Sequence, residues 1–107
     1  MMSSRLQVLP GFAPSYITRV RLLIQHPMET GFRFDVDGKA VSKNVIHTLV
    51  AEFVGVRVFK ATLGSGISAD PYLEFHLRTP HSGELVLRWT DDVGNTGEAR
   101  SHVTIPG

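Results

Sequence analysis

Apolar and polar residues alternate along this chain in short runs, and a glycine or proline closes nearly every one of them. A period of two puts successive side chains on opposite faces of a strand, whereas a helix needs apolar residues three and four apart. Residues 5–9 form the first run, which stops at Pro10-Gly11. Residues 16–25 form a longer one, with Val20, Leu22 and Ile24 on one face and Arg19, Arg21 and Gln25 on the other. Phe32, Phe34 and Val36 then alternate with Arg33 and Asp35 up to Asp37-Gly38, a pair suited to the positive φ of a two-residue hairpin turn. Residues 45–54 alternate around Leu49, Ala51 and Phe53, and residues 56–62 follow Gly55. Leu73, Phe75 and Leu77 oppose Glu74, His76 and Arg78, while Leu85, Leu87 and Trp89 oppose Glu84, Val86 and Arg88. After the polar turn 91–97, Val103 and Ile105 alternate with His102 and Thr104. The reading is about eight strands and no helix.

Composition agrees. Valine, isoleucine, threonine and the aromatics make up nearly a third of the 107 residues, against six alanines. That length suits one hydrophobic core, so residues 1–107 are expected to form a single domain. Short strands at this spacing in about 100 residues predict an all-β, immunoglobulin-like antiparallel sandwich of two sheets. The cysteines of true immunoglobulin domains are missing, because the chain has none.

The charges exclude several partners. Eleven basic residues stand against ten acidic ones, without a basic cluster, so neither nucleic acid nor an anionic membrane is expected. No apolar stretch approaches the 18 residues of a membrane span. Residues 1–14 hold one arginine and no long apolar run, which does not read as a signal peptide.

Chemistry is thinly represented. Without cysteine there is no thiol nucleophile, disulfide or thiolate metal site. His26, His47, His76, His81 and His102 show none of the usual ligand spacings, so no metal and no cofactor is expected. Ser65 and Ser68 sit in a glycine-rich stretch without a nucleophile elbow, and Asp91-Asp92 reads as a turn whose carboxylates cap backbone amides. A calcium loop counted from Asp91 would need a glutamate where His102 stands. The chain therefore reads as a binding or structural partner, not an enzyme. Phe32 and Phe34, near Met28 in a segment broken by Pro27 and Gly31, are the one hint of an interface. From pattern alone the plainer reading is that they fill the core.

Three blocks carry a resemblance. His26-Pro27-Met28-Glu29-Thr30-Gly31, with Asp37-Gly38-Lys39 and Asn44-Val45-Ile46, resembles the SoxZ family of bacterial sulfur-oxidation subunits. Residues 67–75 are similar to that family's second block and residues 89–94 to its third, in the same order along the chain. Pro10-Gly11-Phe12-Ala13-Pro14 departs from it, standing where relatives usually have a lysine-rich turn. The resemblance implies a non-catalytic subunit that pairs with a SoxY-like protein, as a heterodimer or higher assembly. In that carrier the partner's C-terminal cysteine arm covalently holds sulfur intermediates of thiosulfate oxidation, and other Sox enzymes visit transiently. It also implies a periplasmic location, reached by export with a signal-bearing partner. The expected partner-binding residues are His26, Pro27, Met28, Glu29, Thr30, Phe32 and Phe34. The alternative is a free-standing immunoglobulin-like module that binds a ligand or another protein.

Overall fold

The computed structural model describes residues 3–64 and 66–105, so Ser65 lies outside the described residues. Seven antiparallel strands follow in order: β1 (Ser4–Leu9), β2 (Ile17–Ile24), β3 (Ile46–Phe53), β4 (Val56–Thr62), β5 (Tyr72–Arg78), β6 (Gly83–Asp91) and β7 (Thr96–Val103). They build a three-stranded sheet, β1-β2-β5, and a four-stranded sheet, β4-β3-β6-β7. The result is the all-β immunoglobulin-like sandwich that the alternation predicts.

The inward faces follow the sequence parity. Val20, Leu22 and Ile24 of β2, with Phe75 and Leu77 of β5, face Leu49, Ala51 and Phe53 of β3 and Leu85, Leu87 and Trp89 of β6. All are buried, and burying each large one contributes about 1.5–3 kcal/mol before the entropy of ordering is set against it. Leu73 and Phe59 are half-buried at the margin of this core. Phe59 of β4 stacks on Phe75 of β5 with ring centroids 4.3 Å apart, joining one open side of the two sheets.

Two departures from the sequence reading have local causes. The polar turn closes earlier than 97, because the Asp91 carboxylate accepts from the Val93 and Asn95 amides and folds the chain back by Asn95. Pairing resumes at Thr90 with Thr96, so β7 begins there and ends at Val103, leaving Ile105 beyond it. Gly97 is thereby placed opposite Trp89, where a Cβ would run into the indole ring.

The second departure is residues 32–36, which join neither sheet. Phe34 makes one isolated bridge, to Ala40, and every residue from 31 to 40 is exposed. The molecule measures 59 × 20 × 19 Å. A nine-residue strand spans only about 31 Å, so chain outside the sheets carries the molecule well past the ends of the sandwich.

Candidate functional site

The longest stretch outside the strands, residues 25–45, folds into an arm with a buried root and an exposed tip. The tip is a hairpin. Asp35 N–H donates to the Lys39 carbonyl at 2.8 Å and Gly38 N–H to the Asp35 carbonyl at 3.1 Å, while the Asp35 carboxylate accepts from the Asp37 and Lys39 amides. Gly38 holds φ at +77°, the left-handed geometry the Asp37-Gly38 pair was expected to supply. Lower down, Val41 N–H donates to the Arg33 carbonyl, and Glu29 and Asn44 exchange backbone bonds of 2.8 Å each. Arg33 closes on the Glu29 carboxylate with two bonds, 3.1 and 2.6 Å, and this pairing holds that carboxyl below the usual range.

The root is a hydrogen-bonded hub built from all three family-like blocks. His26 is buried; its Nε2–H donates to Asp91 Oδ2 at 3.0 Å, and its Nδ1 accepts the Met28 amide at 2.9 Å. With Nδ1 accepting, the ring is the Nε2–H tautomer. Asp70 clamps the same residue, accepting the His26 N–H at 3.0 Å on its carboxylate and donating its own amide to the His26 carbonyl at 2.7 Å. Met28 is buried with φ at +48°, and its sulfur receives the Ile46 amide at 3.3 Å. Asp92 accepts the Val45 N–H at 3.1 Å. Both carboxylates of Asp91-Asp92 thus cap backbone amides, as their setting in a turn suggests.

Asp91 is the centre of the hub. Burial pushes its pKa up, but bonds from His26, from the Asn95 amide and side chain and from the Val93 amide outweigh that and hold the carboxyl below its ordinary range. A lowered folded-state value means the stabilisation is present above the unfolded pKa, about 3.9, and is lost as pH falls through the folded one. Asp91→Asn should therefore lower stability at pH 7 by about 2–3 kcal/mol, since an amide group would face several N–H donors. It should also flatten the acid limb of a urea-unfolding series run from neutral pH downward. A variant with wild-type stability and an unchanged acid limb would show that the hub does not depend on this charge.

The structure divides the seven expected partner-binding residues between these two parts. His26 and Met28, 3% and 4% exposed, lie inside and hold the root. Pro27 is exposed beside them, and Glu29 and Thr30 are half-buried where the arm emerges. Phe32 and Phe34 stand in solvent at 86% and 67% exposure, not in the core, and Val36, absent from the expected set, is fully exposed at the tip. Its signal was in the sequence: Val36 continues the alternation of Phe32 and Phe34 up to the hairpin turn. His47 is half-buried, and His76, His81 and His102 are exposed. Among the described residues no three His, Asp or Glu side chains converge in a metal-binding group. Neither ring nitrogen of His26 is free to move a substrate proton.

The fold is an all-β sandwich that anchors an exposed hairpin carrying Phe32, Phe34 and Val36. Residues 12–102 match the family model for sulphur oxidation protein SoxZ, and the chain belongs to that family, a subunit of the Sox sulfur-oxidation system. No curated protein sequence matches the chain. Among solved structures, two variants of the superoxide reductase (neelaredoxin) from Ignicoccus hospitalis are similar, at TM-scores of 0.71 and 0.70 and 18% identity each. Each alignment covers 97% of this chain and 80% of the reductase. At that identity the likeness shows the fold alone.

Proposed function

We propose that this chain is the non-catalytic subunit of a sulfur carrier, holding a SoxY-like partner whose C-terminal cysteine arm covalently bears the intermediates of thiosulfate oxidation. The observation that carries this reading is the arm: Phe32, Phe34 and Val36 stand in water above a buried, hydrogen-bonded root. Stable heterodimers bury about 800 Å² per partner around a few desolvated anchors, often aromatic. Three exposed apolar side chains on a hairpin can supply such anchors. The 107 residues contain no cysteine, so the covalent cargo belongs on the partner. The setting is the periplasm, entered with a signal-bearing partner, where other Sox enzymes visit the complex transiently.

Reconstituted thiosulfate oxidation tests the role. Leaving this chain out should abolish turnover, and adding it back should restore it. His47→Ala, His76→Ala, His81→Ala and His102→Ala should each keep the rate within about threefold, since a shift of that size is under 1 kcal/mol. A loss of several orders of magnitude in any of the four would assign chemistry to this chain and contradict the non-catalytic reading.

A further inference from the structure

The two outward sheet faces differ in how their arginines are matched. On the four-stranded sheet Arg88 lies between Glu52 and Glu98, and Arg100 reaches Glu84 and Glu98 at 3.0 Å each. Arg57, in register with Glu52, forms no ion pair among the described residues, so three carboxylates stand among three arginines and Lys60. On the three-stranded sheet, the register turns Arg5, Arg19, Arg21 and Arg78 outward with a single carboxylate, Glu74. Glu74 is shared by Arg19 at 3.3 Å and Arg21 at 3.8 Å. Arg5 and Arg78 occupy diagonal corners of the sheet, and among the described residues neither meets a carboxylate.

The rest of the face is mixed, with Gln7 and His76 beside Leu9, Ile17, Leu23 and Tyr72. Leu23 and Tyr72, 37% and 56% exposed, pair beside Arg5 and border a shallow depression with Arg21. Arginine and tyrosine anchor protein interfaces more often than other exposed residues do. A guanidinium takes a carboxylate through two parallel hydrogen bonds, and an unbalanced field steers an oppositely charged surface towards it.

We propose that the outward face of the β1-β2-β5 sheet is a second docking surface, separate from the arm, for a protein that presents clustered carboxylates. The four arginines are spread over a three-stranded sheet, with Leu23 and Tyr72 beside Arg5 and Glu74 against Arg19 and Arg21. That arrangement fits a mixed protein surface; a phosphate backbone calls for a continuous basic stripe. Contacts of this kind raise the association rate and weaken with salt, which suits a partner that binds and leaves.

A fluorescent peptide of alternating glutamate and glycine is the probe, titrated into the full chain at low salt. Amide shifts should fall on β1, β2 and β5. Arg5→Glu/Arg78→Glu should weaken binding by at least about tenfold, while Lys60→Glu, on the outward face of the other sheet, should change it less than about twofold. All three positions are exposed, and unchanged melting temperatures confirm that the variants fold. Equal losses from the two variants, shifts centred on the arm or on the four-stranded sheet, or tighter binding of duplex DNA or anionic vesicles than of the peptide would each overturn the proposal. The arm is not involved in this test, so the result stands apart from the fate of the carrier reading.

Discussion

Replacing Trp89 with alanine should cost the sandwich about 3–5 kcal/mol, the largest single loss expected in this protein. Trp89 is 1% exposed on β6, between Leu49 of β3 and Gly97 of β7. The indole lies over the Gly97 backbone, and across the core the other sheet presents Val20, Leu22, Phe75 and Leu77. Removing the ring leaves a cavity that strands locked in two ladders cannot collapse to fill. A domain of this size has about 5–15 kcal/mol of stability in all, so much of it would go. Trp89→Phe separates packing from polarity. It keeps an aromatic ring and deletes an indole N–H that finds no acceptor among the described residues, and should cost about 1 kcal/mol. Urea unfolding measures both. A loss below about 1 kcal/mol for the alanine variant would mean that Trp89 is not central to the core.

The sheets were legible because parity is a local property. Val20, Leu22 and Ile24 needed only an apolar environment on one side to declare their inward face, and the same holds for Leu85, Leu87 and Trp89. The start of β7 was not legible from periodicity, since Thr96, Glu98 and Arg100 on its outward face give no apolar stripe. What places it is the side chain of Asp91, which ends the turn at Asn95.

The arm shows the limit of the same rule. Phe32, Phe34 and Val36 alternate as cleanly as any core strand, but alternation does not say whether a second layer lies opposite. The returning stretch, Lys39 to Asn44, brings two lysines, a serine and an asparagine, so the hairpin cannot bury its own aromatics. The root was illegible for another reason. His26 meets Asp70 and Asp91, 44 and 65 positions away, and no spacing motif reports contacts made only by folding. The three blocks that carry the family resemblance converge on this hub, so the most distinctive stretches of the sequence serve to aim the arm. Met28, named among the expected partner-binding residues, is buried in the free chain and takes the Ile46 amide on its sulfur.

The arm sets the second large effect. Phe32→Asp/Phe34→Asp replaces the two aromatics proposed as anchors with charges that would have to be desolvated in a complex, and affinity for a SoxY-like partner should fall by at least about a hundredfold, or 2.7 kcal/mol. Both side chains are exposed in the free chain, so its melting temperature should move by no more than about 2 °C, the shift of a fraction of a kcal/mol. The direct measurement is a calorimetric titration of a SoxY-like protein with the wild-type chain and with this double variant. The account predicts one-to-one binding by the wild type and at least a hundredfold weaker binding by the variant; absence of wild-type binding, or equal affinity for both, would contradict it.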